Sequence, residues 1–312
     1  MTTVSAVVPV CADIISVLGD LPETALVRIL KCIKNISMHP DTLDRIQGAG
    51  FIPRLVMYIS EVPGERPRSP EIRNQSLIAL YNLCRINKLR QEIAASNGLI
   101  PALKKIILSN SPLNQFALPM ICDLAHGSKK CLPELWKEDC ATFYVNLLQY
   151  TYWQTNALES VSAWMSADVS EAVRLEGILR QPKSMEKIVR AFSSADVRTF
   201  TEMSSPLLKI LYTVNGLKTV SGADTFVAIL SQSPLPELAV RMLQQPRDDP
   251  LVRLRLLDLL QLVYMGCRSP KKFIIQHSLL SLVTTIMDTD KKVMVHERAR
   301  AFLAALEANE VL

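Results

Sequence analysis

Glycine and aromatic side chains are scarce in this sequence. Only 10 of 312 residues are glycine, about 3% against a usual ~7%, and Phe, Trp and Tyr together make 6%. Glycine supplies the positive φ angles of hairpin turns and lets backbone close on phosphate groups. A leucine-rich chain this poor in it is not expected to form an all-β fold or a nucleotide-binding α/β fold. It reads as all-helical. Cysteine gives no framework either: there are seven, an odd number, with no C-x-x-C pair. They sit mostly inside apolar runs such as Leu30-Lys31-Cys32-Ile33 and Asn82-Leu83-Cys84, so buried, reduced thiols of a cytosolic protein are expected. The first charge is Asp13, which leaves 1–12 without the positive region of a secretory signal. The uncharged stretch 141–158 holds two Asn, two Gln and three Tyr, too polar to span a bilayer. The net charge of +5, from 35 basic and 30 acidic residues, gives no nucleic-acid signature. A soluble, cytoplasmic protein with no nucleic-acid partner and no transmembrane segment is the expectation.

What the chain does have is a repeat. One segment runs Arg28-Ile-Leu-Lys-Cys-Ile-Lys-Asn35-Ile-Ser and continues at Ile46-Gln-Gly-Ala-Gly50-Phe-Ile52-Pro53-Arg-Leu55-Val56. A second runs Gln75-Ser-Leu-Ile-Ala-Leu-Tyr-Asn82-Leu-Cys and continues at Ile93-Ala-Ala-Ser-Asn-Gly98-Leu-Ile100-Pro101-Ala-Leu103-Lys. Asn35 to Asn82 spans 47 residues, and Gly50 to Gly98 and Pro53 to Pro101 each span 48. The glycine is placed to close one short helix in a left-handed conformation. The proline then falls in the first turn of the next helix, where its missing N–H costs nothing. This pattern resembles the armadillo repeat.

Further units are weaker but keep helical spacing. They run Leu113–Ala125 with Phe143–Leu148, Asn156–Met165 with Ile188, Val189 and Phe192, Pro206–Val214 with Phe226–Leu230, and Val252–Met265 with Ser278–Met287. Residues 295–307 suit a capping helix. The Pro/Arg/Glu stretch 62–70 reads as an exposed loop between repeats. The expected architecture is all-α: an armadillo/HEAT-like right-handed α-solenoid superhelix of about six to seven repeats. One domain over 1–312 is expected, with clear repeats over 25–190 and degenerate ones over 191–294.

The central segment is more specific. It reads Leu118-Pro119-Met-Ile-Cys122-Asp123-Leu-Ala125-His126-Gly-Ser128, then Tyr144-Val-Asn-Leu147-Leu148, then Tyr152-Trp153-Gln-Thr-Asn-Ala157-Leu158-Glu-Ser160. This resembles the C-terminal armadillo-type region of the fungal septation-initiation and mitotic-exit network kinases and of the plant MAP-kinase-kinase-kinase epsilon. The resemblance implies a parent Ser/Thr kinase in a small-GTPase pathway that times cytokinesis and septation. It implies a helical region for targeting, to a spindle pole body or division site, and for engaging a Ras-like GTPase that carries the nucleotide. Spindle-pole or septum scaffold proteins are further implied partners. No kinase motif is present in this chain. Gly48-Ala-Gly50 is followed by Pro53 where a third phosphate-loop glycine belongs, and neither His-Arg-Asp nor Asp-Phe-Gly occurs. The expectation is a scaffold with no enzyme activity, no cofactor and no metal.

Asp123 and His126 share a helix face, a spacing that metal and acid–base sites use. The four histidines, His39, His126, His277 and His296, lack second ligands except for Cys122 near His126, and a structural histidine is the favoured reading. Tyr152 and Trp153 are either a partner anchor or, as favoured, a wedge packed between repeats. Asn35, Asn82 and Asp123 fall where an armadillo groove bonds an extended peptide. The tryptophans that nuclear-signal binders carry four residues earlier are replaced by Lys31, Ile78 and Pro119. The asparagines therefore serve a partner or only link repeats. The basic residues Lys31, Lys34, Arg85, Lys88, Arg90, Lys129 and Lys130 read as a solvated face or as a positive surface for an acidic partner. Arg241, Arg247, Arg253 and Arg255 form a second cluster, diluted by Asp248, Asp249 and Asp258. A general peptide-groove adaptor or cytoskeletal scaffold without a GTPase is the alternative function.

Overall fold

A computed structural model describes residues 14–15, 18–19, 21–60, 68–109, 111–217, 225–245 and 249–310. Among the described residues all regular structure is helical. The chain packs as two compact units, Met1–Cys140 and Ala141–Leu312.

Unit 1 begins with α1 (Glu23–Ile36). Two three-helix repeats follow: α2 (Pro40–Gly48), α3 (Phe51–Ile59) and α4 (Pro70–Cys84), then α5 (Lys88–Ser96), α6 (Leu99–Leu108) and α7 (Asn114–His126). A short helix, α8 (Leu132–Lys137), ends the unit. The third helix of each repeat packs on its predecessor, α4 against α1 and α7 against α4, while the second helix backs onto the third. Leu30, Ile33, Leu55, Leu80, Leu83, Leu103 and Ile121 are buried between them. None of these helices could bury its apolar stripe alone, so the repeats are stable only as a stack.

Unit 2 follows the same scheme. It opens on α9 (Cys140–Leu147) and α10 (Gln154–Met165). Three repeats follow. They are α11 (Val169–Leu179), α12 (Pro182–Ser194) and α13 (Val197–Gly216); α14 (Phe226–Leu230), α15 (Leu235–Gln244) and α16 (Pro250–Gly266); and α17 (Pro270–Gln276), α18 (Leu279–Thr289) and α19 (Val293–Glu310). The third helices again form a ladder, α10–α13–α16–α19. Trp164 is fully buried at its start, set edge-on to Tyr144 at 6.4 Å, and its indole N–H donates to Glu171 at 2.6 Å. Buried Glu176 accepts from the backbone N–H of Phe226 at 2.7 Å and so ties α11 to α14.

The junction between first and second helices carries the sequence signature. Gly50 and Gly98 lie at φ +83° and +88°, directly before α3 and α6. Asp139 and Ser278 occupy the same junction before α9 and α18, at φ +48° and +49°. The left-handed residue thus recurs at four of these junctions, glycine being its easiest solution, whereas α12 and α15 are entered through Gln181 at φ −62° and Pro234 at φ −64°. Replacing Ser278 by Gly is expected to raise stability by roughly 0.5–1 kcal/mol in urea denaturation, because the side chain no longer crowds the following carbonyl.

Several sequence expectations shift in detail. Of the loop expected at 62–70, residues 62–67 lie outside the described residues, Ser69 caps α4 and Pro70 is its first residue. Cys11 and Arg247 lie outside them too. Cys84, Cys122, Cys131 and Cys140 are buried, but Cys32 is exposed on α1, where the neighbouring apolar residues face inward without it. Burial pushes the Cys84 and Cys140 thiols up to about 12, leaving them without thiolate character at neutral pH.

Candidate interaction surface

The residues of unit 1 singled out by sequence lie on α1, α4 and α7, at the start of α5 and in the turns that follow α4 and α7. Lys31 on α1 pairs with Glu71 on α4 at 3.0 Å, and Gln75 donates to the same carboxylate at 3.0 Å. Asn35 is exposed near the end of α1. Asn82 is half-buried one repeat later. Its amide donates to the Ser37 hydroxyl at 3.0 Å and to the Lys34 carbonyl at 3.5 Å. The Asn82 amide therefore links α4 to the end of α1. Asp123, its counterpart on α7, is half-buried and has no N–H to give. Burial raises its carboxyl above the ordinary range, opposed by His126 and Arg85. Asp123 and Arg85 line one small crevice together with Tyr81 and Gln91. His126 is exposed and Cys122, one turn before it on α7, is buried. Among the described residues no group of three His, Cys, Asp or Glu side chains is placed to hold a metal ion.

The basic residues divide into two kinds. Arg85, Lys88, Lys129 and Lys130 are exposed, with Lys130 paired to Glu92 at 3.4 Å. Arg90 is not part of a solvated face: it is only 4% exposed. Its guanidinium donates to the Leu83 carbonyl at 3.2 Å, to Gln47 at 3.0 Å and to Asp44 at 2.5 Å, which binds α5 to α2 and to the end of α4. The second arginine cluster is similarly engaged. Arg253 pairs with Asp290, Arg255 donates to the Thr201 carbonyl, and Arg241 lies 4.0 Å from Glu237.

Between α4 and α5 the chain turns through Ile86, at φ +63°. This is not the first-to-second helix junction, and a β-branched side chain in left-handed backbone costs about 1–2 kcal/mol. The turn is fixed on both sides. The Asn87 side chain caps α5 by accepting from the Arg90 N–H at 3.0 Å, and Gln91 donates to the Cys84 carbonyl at 3.0 Å. Ile86 is 87% exposed.

Tyr152 and Trp153 do not wedge a core. They form a single 3-10 turn (151–153) before α10, stacked edge-to-face at 4.6 Å, with Tyr152 83% exposed and Trp153 partly so.

A further cleft in unit 2 lies outside the residues singled out by sequence. An open groove of about 770 Å³ runs across α13, α16 and α19, lined by Leu208, Tyr212, Asn215, Gln261, Met265 and Arg298, among others. Tyr212 is 75% and Met265 63% exposed. Asn215 donates to the Leu262 carbonyl at 2.8 Å, an inter-repeat link across 47 residues like that of Asn82. The Gln261 side-chain oxygen is buried there without a hydrogen-bond partner. The signal was present in the sequence as Asn215, one residue past the end of the unit recognised at Pro206–Val214. Among the described residues no helix is long and apolar enough to cross a membrane.

Three-helix repeats stacked through their third helices define an armadillo-type helical-repeat protein. An engineered protein of known structure shares this fold, with a TM-score of 0.70 at 17% identity over 97% of this chain and 70% of its own. No family model matches the sequence. MAP3K epsilon protein kinase 2 of Arabidopsis thaliana is 32% identical over 294 residues, covering 92% of this chain and 20% of that protein. Cytokinesis protein sepH of Emericella nidulans is 31% identical over 287 residues, covering 91% and 20%. The chain belongs, over nearly its whole length, with the corresponding region of the MAP3K epsilon protein kinases and cytokinesis protein sepH. It spans about one fifth of the length of these relatives.

Proposed function

We propose that this chain is a non-catalytic protein-interaction scaffold that engages a Ras-like small GTPase and helps to target a septation or cytokinesis kinase. The observation that carries the scaffold reading is the groove of unit 2, where two large apolar side chains, Tyr212 and Met265, stand exposed beside polar groups such as Gln261 and Arg298. Exposed aromatic anchors flanked by polar groups are the usual make-up of a partner surface. Relationship to a protein named for cytokinesis supports the pathway, and the resemblance to septation-network kinases supports a GTPase partner. Any nucleotide belongs to that partner. On this reading Asn35, Arg85, Lys88, Asp123, His126, Lys129, Lys130, Tyr152 and Trp153 contribute further contact surface. Recruitment is from the cytoplasm to the spindle pole or division site, and the two units act as one continuous repeat domain over 1–312. A pull-down of the chain with the GTP- and GDP-loaded forms of the GTPase is expected to retain at least one of them. Retention of neither would sink the GTPase reading.

The unpartnered Gln261 oxygen favours a second reading, a peptide-groove adaptor without a GTPase. An extended peptide in the groove offers it a backbone N–H once the Gln261 side chain turns outward. Under that reading Gln261→Leu should weaken peptide capture about tenfold, the effect of one lost hydrogen bond.

A further inference from the structure

We propose that the turn between α4 and α5 is a docking point for an acidic segment of a protein partner, anchored by an aliphatic side chain against Ile86 and Leu89. The first ground is the conformation itself. Ile86 is the one non-glycine residue at positive φ, among the described residues, that does not sit at a first-to-second helix junction. The fold therefore has no repeat-wide need for it. Strained backbone persists where its surroundings over-determine it, and such outliers gather at binding sites. Here Arg90, Asn87 and Gln91 clamp the turn from within and hold the Ile86 side chain in solvent.

The second ground is what surrounds it. Leu89 is exposed on the first turn of α5, and Met38 is exposed at the turn after α1. The 3.0 Å bond from Asn82 to Ser37 brings the Met38 turn to the same edge of the unit. Ile86 and Leu89 thus form an exposed apolar rim, with the turn that carries Met38 tied to α4 through Ser37. Charge decides the partner. Residues 82–91 carry Arg85, Lys88 and Arg90 and no acid at all. Of the nearby acids, Asp44 is engaged by Arg90 and Glu92 by Lys130. Half-buried Asp123 shares a crevice with Arg85 and leaves Lys88 the cation facing only solvent and the apolar rim. Arg85 and Lys88 remain exposed beside the apolar rim, so a segment mixing carboxylates with leucine-like side chains complements it and a basic one does not. This docking point is on unit 1 and does not require the partner to be a GTPase.

The test uses the full chain and three fluorescein-labelled peptides of equal length, alternating Glu–Leu, Lys–Leu and Glu–Ser, read by fluorescence anisotropy. The Glu–Leu peptide is expected to bind, and the other two are not. Ile86→Gly should weaken that binding about tenfold, and Lys88→Glu should do the same. Ile86→Gly should also raise Tm by about 2 °C, since glycine takes the left-handed turn without steric cost. Stronger folding with weaker binding is a pair of changes that a merely structural residue would not give. The proposal is overturned if Ile86→Gly leaves peptide affinity intact, if it lowers Tm, or if the Lys–Leu peptide binds as well as the acidic one. GTPase retention by the Ile86→Gly chain, with peptide binding unaltered, would overturn this docking point and leave the GTPase reading standing. Peptide binding of the expected pattern, with no GTPase retained, would do the reverse.

Discussion

Arg90→Met is expected to destabilise unit 1 by about 2–4 kcal/mol, although it removes no obvious core residue. Its ion pair with Asp44 is a minor part of this, because Asp44 lies on the surface and exposed pairs contribute little. The larger loss is the buried Leu83 carbonyl, at the end of α4, left without its donor, together with the Gln47 link to α2. Methionine keeps much of the stem packing, so the effect isolates the guanidinium. Arg90→Lys should fall between wild type and Arg90→Met, since an ammonium cannot reach three acceptors with one rigid fork. Urea denaturation followed by circular dichroism measures both. A change under about 0.5 kcal/mol for Arg90→Met would mean that the turn at Ile86 is held by Asn87 and Gln91 alone.

Gly266→Ala should cost about 1–3 kcal/mol and disturb the groove of unit 2. A Cβ at this position would stand 2.5 Å from Cγ1 of buried Val227 and 2.5 Å from Oδ1 of Asn215. Neither neighbour can yield cheaply: Val227 is fixed inside α14, and Asn215 is committed to the Leu262 carbonyl. The adjoining Met265 lines the groove, so the same change should weaken whatever binds there. Gly177→Ala is the matched control. Nothing lies within 4 Å of its added Cβ, and the site is inside α11, so alanine should stabilise by roughly 0.5–1 kcal/mol. Both variants can be followed by urea denaturation through the fluorescence of Trp164. Equal, small effects at the two glycines would contradict the close approach of α14 to the end of α16.

The repeat was legible because its rules are local. Gly50 with Pro53 and Gly98 with Pro101 encode a left-handed stop followed by a proline-tolerant first turn, and the structure places both pairs as read. Asp139 and Ser278 adopt the same backbone without advertising it, because surrounding packing imposes the conformation on residues that merely tolerate it. Site residues were less legible, for a different reason. Exposure depends on what faces a residue across the fold, which spacing along one helix does not record. Arg90 looked like one more surface cation and is buried because Leu83 and Gln47 converge on it. Tyr152 reads as core on its aromatic character and is 83% exposed, its ring set against Trp153 of the same turn. Asn82 was placed correctly on its helix, but whether its amide meets a partner or the preceding repeat required Ser37 to be seen beside it.

Hydrogen–deuterium exchange of the full chain, with and without the GTP-loaded Ras-like GTPase, tests the scaffold reading most directly. Tight docking is expected to slow exchange in α13 and α16 around Tyr212 and Met265, since a seated partner suppresses local opening. Saturating GTPase in either nucleotide state with no segment protected would contradict the account.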